Sequence, residues 1–226
     1  MTREGSVVDG LLWEGVTDAD LLTEALTHRS AGSRNNERLE YLGDAVLGLV
    51  VSDYLYRRFD RFREGDLSRL RSYLVRKETL AEVAASIGLG EKVILGAGEL
   101  KSGGSRRDTI LANAMEALIG AAYITRGFDH ARALVMELWR DKIDSLPSPQ
   151  TLKDPKTRLQ EWLQSRNLGL PEYELADVTG ESHRQRFQTR CRVSALALEA
   201  SAWGDSKRKS EQACAGEVLS LIGRRE

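Results

Sequence analysis

All four prolines of the chain, Pro147, Pro149, Pro155 and Pro171, lie beyond residue 146, and the apolar period changes where they begin. Before them, "DADLLTEALTHRS", "NERLEYLGDAVLG", "GDLSRLRSYLVRKETLAEVAASIGLG", "DTILANAMEALIGAAYITRG" and "DHARALVMELWRDKIDSL" repeat apolar residues at helical spacing between glycines. This predicts four or five helices and no strand. Beyond them, "DPKTRLQEWLQSRN" reads as an amphipathic helix with Pro155 in its tolerated first turn. "PEYELADVTG", "RQRFQTRCRVS" and "LEASAWG" then alternate as half-buried strands, with "TGES" as a turn. "DSKRKSEQACAGEVLSLIG" closes with a helix whose packing residues are expected to be Ala213, Val218, Leu219 and Ile222. The polar "SLPSPQTLKD" between the halves reads as a semi-stiff linker. The expected architecture is an all-α domain over residues 1–146, a linker over 147–153, and a small α+β (α-β-β-β-α) domain over 154–224.

Hydrophobic and charged shares of 41% and 30% suit an ordinary water-soluble chain with material for a core. The longest apolar run, near residues 45–51, is too short to cross a bilayer, and "MTREGSVVDGLLW" lacks the continuous apolar stretch of an export signal. Cys191 and Cys214 follow no metal-ligand or disulfide-scaffold spacing. A reducing cytoplasmic setting, with no membrane partner, is expected. The net charge of −1 divides unevenly: residues 148–226 hold 13 Lys and Arg against 11 Asp and Glu, and residues 1–147 hold 20 against 23. So small an imbalance does not by itself imply nucleic-acid binding, and the placement of the charges has to carry that inference.

At about 100° per residue, Glu37, Glu40 and Asp44 fall near 0°, 300° and 340°, on one narrow face. Leu39, Leu42, Val46 and Val50 occupy the opposite side. A second apolar run, "ILANAMEALIG", sets Asn113 and Glu116 three residues apart among Ile110, Leu111, Met115, Leu118 and Ile119. Ala117 and Gly120 border that polar pair and leave room for another backbone or a ligand. Glu64 follows in "REGDLSRLR". A solvated helix face is the bland account of each acid alone; two apolar helices with polar notches predict acids facing one another across a cleft. Such acids raise one another's pKa values unless a cation joins them. Oxygen ligands without His or Cys select Mg²⁺, with Mn²⁺ as substitute. Two such ions can serve the attacking and leaving oxygens of phosphate-ester hydrolysis.

Lys207, Arg208 and Lys209 open the last helix, where the dipole ordinarily prefers acids, so a bound phosphate is the functional alternative to a solvated charge run. His28 is expected to be structural and His130 to cap or begin a helix. Trp13, Trp139, Trp162 and Trp203 are expected to pack, and the two cysteines to behave as small buried hydrophobes.

"ALTHRS" (25–30), "NERLEYLGDAVL" (36–47), "EGDLSRLR" (64–71), "LGAGELKSGG" (95–104) and "ILANAMEALIGA" (110–121) together resemble bacterial ribonuclease III. "DPKTRLQEWLQ" and "KRKSEQACA" resemble its double-stranded RNA-binding domain, so the likeness covers nearly the whole chain. The resemblance implies a homodimeric, Mg²⁺-dependent endonuclease that cuts both strands of duplex RNA, including ribosomal and messenger precursors. It implies 5′-phosphate and 3′-hydroxyl ends with short 3′ overhangs. By position it makes Glu40 and Glu116 metal ligands, Asp44 an essential catalytic acid, and Glu37 and Glu64 acids of the same valley. Tyr41 stands where the family usually has a phenylalanine that contacts the partner subunit. Gln160, Gln164 and His183 match minor-groove contacts, and Lys207, Arg208 and Lys209 match the span across major-groove phosphates.

One position departs from the family. Asn113 stands where it has aspartate, and an amide oxygen can ligate Mg²⁺ without the negative charge. Two further readings therefore stay open beside the endonuclease. One is a dsRNA-binding dimer with impaired cleavage; the other is an all-α dimerisation module with an RNA-binding tail.

Overall fold

The computed structural model describes residues 15–181 and 184–224. Trp13 and His183 lie outside the described residues. The chain divides into two compact units between Pro149 and Gln150, within the proline-bearing stretch.

The first unit is helical. α1 (Ala19–Leu26) is capped by Asp18, whose carboxylate accepts from the Asp20 and Leu21 N–H groups at 3.0 Å. α2 (Glu37–Arg58) and α6 (Asp108–Leu138) form the central pair, flanked by α3 (Glu64–Val75), α4 (Lys77–Ser86), and the short α5 (Ala97–Lys101) and α7 (Arg140–Asp144). Leu39, Val46, Leu47, Val50 and Leu55 of α2 are buried with Ile110, Leu111, Met115, Leu118 and Ile119 of α6. Trp139 is fully buried and donates its indole N–H to the Leu74 carbonyl at 2.9 Å.

Two glycines fix how closely the central helices meet. A Cβ on Gly43 would stand 1.7 Å from the Glu116 carbonyl oxygen, and one on Gly120 would stand 2.4 Å from that of Leu39. No side chain fits at either place, so the helices cross backbone to backbone. The space beside Gly120 is thus filled by another helix.

Several boundaries differ from expectation. "GDLSRLRSYLVRKETLAEVAASIGLG" breaks into α3 and α4 at Arg76, which is extended (φ −71°, ψ 152°) with neither Gly nor Pro to announce it. The Thr79 hydroxyl donates to the Tyr73 carbonyl at 2.7 Å across that corner. Conversely, "DTILANAMEALIGAAYITRG" and "DHARALVMELW" run as one element, kinked at Gly127 (φ 79°), and His130 falls in the first turn after the kink. Leu42 is only half-buried, unlike its neighbours on the apolar side of α2.

In the second unit, α8 (Pro155–Gln164) is capped by Asp154, which accepts from the Thr157 N–H at 3.1 Å. β1 (Glu172–Thr179), β2 (Arg186–Val193) and β3 (Leu198–Gly204) form an antiparallel sheet in the order β1-β2-β3, aligning Tyr173, Cys191 and Ala200. α9 (Lys207–Gly223) is capped by Ser206. Leu159, Leu163, Cys191, Val193, Leu198, Cys214, Ala215, Val218 and Ile222 make the core. Both cysteines are free and buried. On α9 the buried set is Cys214, Ala215, Val218 and Ile222, whereas Ala213 is exposed, one position away from the face that meets the sheet. β1 buries little beyond the half-buried Tyr173 because it is an edge strand with a bulge between Leu175 and Asp177. Trp203 is 36% exposed, with the Arg186 guanidinium 5.8 Å from its ring centre, so it packs only partly.

Gly43→Ala is expected to destabilise the first unit by about 3 kcal/mol or more, since the new methyl has a carbonyl in its place. Gly48→Ala, on the same helix with nothing within 4 Å, is expected to be neutral or stabilising by about 1 kcal/mol. Urea unfolding measures both, and equal midpoints for the two variants would contradict the close crossing.

Candidate active site and RNA-binding face

The crossing at Gly43 and Gly120 sets the acidic face of α2 against the polar notch of α6. Glu40, Asn113 and Glu116 are half-buried, while Glu37 and Asp44 are exposed. The Glu116 carboxyl is pushed up to about 7, first by burial, then by the charges of Asp44 and Glu40. Glu40 is also raised, by burial and by Glu37 and Asp44, against the opposing pull of a hydrogen bond from Asn113 and of Arg29. The Asn113 amide therefore favours the charged form of Glu40, which an aspartate there would repel. Arg29 forms a 3.7 Å ion pair with Glu37, both side chains largely in solvent.

Four of the expected acidic-site residues, Glu40, Asp44, Asn113 and Glu116, thus share one electrostatic neighbourhood, with Glu37 at its edge. Among the described residues, no three His, Cys, Asp or Glu side chains come together as a metal cage. The two observations agree, because Coulomb coupling reaches well beyond coordination distance. Glu64 stands apart. It is exposed in the first turn of α3, accepts from the Ser68 hydroxyl at 2.6 Å, and does not figure in the charge balance at Glu40 or Glu116. Sequence reasoning missed Arg29, which sits in the quoted "ALTHRS" but carried no separate signal.

Tyr41 is 82% exposed on α2, and Leu49 and Tyr56 continue the same exposed stripe at helical spacing. A hollow of about 570 Å³ beside it is lined by Leu21, Arg38, Leu42 and Ile124, among others. His28 holds a local turn, its ring nitrogen Nδ1 lying 2.8 Å from the Ser30 hydroxyl.

In the second unit, Gln160 and Gln164 are exposed on α8, opposite the buried Leu159 and Leu163. Lys207, Arg208 and Lys209 form the exposed first turn of α9. Lys209 is paired with Asp205 at 3.3 Å, both well exposed, so the pair is weak. Against its burial, the Asp154 carboxyl is held below its ordinary value by hydrogen bonds from Thr157, then from the Lys156 N–H, with the Arg208 charge adding least.

A ribonuclease-III-like family model matches residues 18–142, and a double-stranded RNA binding motif matches residues 155–222. The chain belongs to the ribonuclease III family. It is 52% identical to Ribonuclease 3 of Ectopseudomonas mendocina over 223 residues, covering 99% of this chain and 97% of that one. Its identity to Ribonuclease 3 of Hahella chejuensis is 50% over 203 residues, covering 90% of each. The first unit is similar to the nuclease domain of ribonuclease III from Campylobacter jejuni, with a TM-score of 0.57 and 41% identity over 60% of this chain and 99% of that one. As a ribonuclease III, the chain is an endoribonuclease with a helical nuclease unit and a double-stranded RNA-binding domain. No helix among its described residues is long and apolar enough to cross a membrane.

Glu116 gives a direct test of the acidic crowding. Its folded pKa of about 7 lies above the ordinary 4.5. Between those values the unfolded chain has released a proton that the folded chain keeps, so this group's stabilising contribution is lost as pH rises through that window. In chelator-containing buffer, Glu116→Gln should therefore gain stability relative to the parent between pH 5 and pH 8. Thermal melting across that range reads the difference; parallel profiles would show that Glu116 is not crowded by its neighbours.

Proposed function

We propose that this ribonuclease III is a homodimer that hydrolyses both strands of duplex RNA at the acids between α2 and α6, using Mg²⁺ or Mn²⁺. The products are 5′-phosphate and 3′-hydroxyl ends with short 3′ overhangs, from ribosomal and messenger precursors in the cytoplasm. Residues 1–146 carry the chemistry, residues 154–224 hold the RNA, and 147–153 link them. The observation that carries the reading is the convergence of Glu40, Asp44 and Glu116, which leaves two carboxyls raised even with the Arg29 charge acting on Glu40. That donor set, all oxygen and in excess negative charge, fits a hard divalent ion.

Glu40 and Glu116 would hold the ion, with the Asn113 amide oxygen as a weaker, uncharged third donor. When bound, the ion lowers the pKa of a water and offsets charge on the phosphate oxygens. Asp44, exposed beside the pair, orients the attacking water, and Glu37 and Glu64 border the path of the strand. Gln160, Gln164 and His183 reach minor grooves, while Lys207, Arg208 and Lys209 at the α9 N-terminus receive phosphates between them. Two strands need two cuts, and a symmetric pair of subunits supplies two sites. The exposed stripe of Tyr41, Leu49 and Tyr56 supports that pairing. The Campylobacter jejuni nuclease domain is likewise described as having a region involved in dimer formation.

The amide at position 113, beside Glu40 in place of a carboxylate, favours a second reading, a dsRNA-binding dimer with slow cleavage. The amide brings no negative charge to a metal and binds it more weakly than a carboxylate would. Asn113→Asp is then expected to raise the single-turnover rate by roughly two to three powers of ten and to lower the Mg²⁺ concentration needed. A Mg²⁺ titration of hairpin cleavage checks this. Equal rates and equal metal dependence would remove position 113 from the metal site.

A further inference from the structure

Among the acids lies a polar hollow of about 280 Å³, whose walls include His28, Arg29, Asn36, Glu37, Glu40 and Asn113. Asn36 is only 2% exposed, yet its side-chain Nδ2 has no hydrogen-bond partner. It occupies the cap position of α2 without capping it; the Asn35 side chain instead accepts from the Glu37 N–H at 3.1 Å. A buried donor left unmade costs about 1–3 kcal/mol, so such a group calls for a partner from outside the fold.

The neighbouring groups specify the chemistry of that partner. The Ser30 backbone N–H donates to His28 Nδ1 at 3.2 Å, so Nδ1 is an acceptor and the neutral ring carries its proton on Nε2. The Ser30 hydroxyl accepts from the Gly96 N–H at 3.0 Å, which leaves its own proton for the same Nδ1. Arg29 is held loosely, by a long, solvent-exposed pair with Glu37 and the charge of Glu40, and its guanidinium can turn toward an anion. An amide N–H, an imidazole N–H and a guanidinium thus gather at the N-terminal end of a 22-residue helix, whose dipole adds to the attraction for an anion. Glu37, Glu40 and Asn113 belong to this wall, whereas Asp44 and Glu116 do not. The hollow therefore adjoins the acid cluster at its Glu37–Glu40 end, with the cationic and donor groups on its other side.

We propose that Asn36, with Arg29 and His28, seats a non-bridging phosphate oxygen of the cut strand, flanking the scissile bond. The seat fixes the strand's register over the acids. This rests on reading those acids as the cleavage centre.

The test couples the protein to single atoms of the RNA. Hairpins carry one neutral methylphosphonate linkage at a time, at each position within two nucleotides of the cut. The full-length parent and Asn36→Ala are compared by single-turnover cleavage in Mn²⁺ and by affinity in Ca²⁺. In the parent, the neutral linkage at one flanking position should weaken cleavage or binding about tenfold, the scale of one hydrogen bond to a charged group. In Asn36→Ala, the unmodified hairpin should show that loss already, and the linkage at that position should add nothing. Additive losses at every position would overturn the seat and leave Asn36 to structure or bound water. Coupling to a 2′-deoxy substitution in place of the phosphate would overturn it too. If Asn36→Ala melts early, Asn36→Asp and Arg29→Gln enter the same cycle. A parent that binds without cutting would refute the cleavage reading alone, because affinity in Ca²⁺ still reports the coupling.

Discussion

The nuclease unit depends on one contact, the backbone crossing of α2 and α6 at Gly43 and Gly120. It puts the Gly43 position against the Glu116 carbonyl and the Gly120 position against the Leu39 carbonyl, with no side chain between. Everything polar in the site follows from that distance. Glu40 and Asp44 sit one residue pattern along α2 from Gly43, and Asn113 and Glu116 sit one turn or two before Gly120 on α6. A methyl on each would push the helices apart, let water in beside Glu116 and weaken the influence of Asp44 and Glu40 on it. The crossing spends packing freedom to hold like charges together.

Those charges explain why the site is unsettled as it stands. Burial and the charges of Asp44 and Glu40 push the Glu116 carboxyl up to about 7, and Glu40 is relieved only in part, by the Asn113 amide and the Arg29 charge. An aspartate at position 113 would add a third repulsion and a stronger demand for metal. With Asn113, the chain carries less of that repulsion and less of that demand. The RNA-binding unit makes no comparable compromise. Its exposed glutamines and basic turn lie on one helix face and one helix end, presented by a core that contains none of them.

Much of this arrangement was legible in the sequence, because the relevant patterns are local. Helical spacing gave one face to Glu37, Glu40 and Asp44, and alternation beyond the prolines marked the three strands. Capping by Asp154 and Ser206 marks the helix starts of the second unit. What was not legible depends on tertiary contact. The break at Arg76 has no Gly or Pro signal, and the kink at Gly127 leaves the helical period nearly continuous. Composition does not distinguish the adjacent Ala213 and Ala215; the angle at which α9 meets the sheet does, burying Ala215 and leaving Ala213 exposed. The unpartnered Asn36 amide could be recognised only once α2 had been packed and capped by Asn35.

The central claim is that one acidic cluster, assembled by the glycine crossing, cuts duplex RNA. The most direct measurement is cleavage of a hairpin labelled separately on each strand, in Mn²⁺, with product ends mapped on both strands. The account predicts staggered cuts on the two strands with 5′-phosphate and 3′-hydroxyl ends, abolished in Glu116→Gln while duplex binding persists. Intact strands in Mn²⁺ despite tight binding, or cleavage that survives Glu116→Gln, would contradict it.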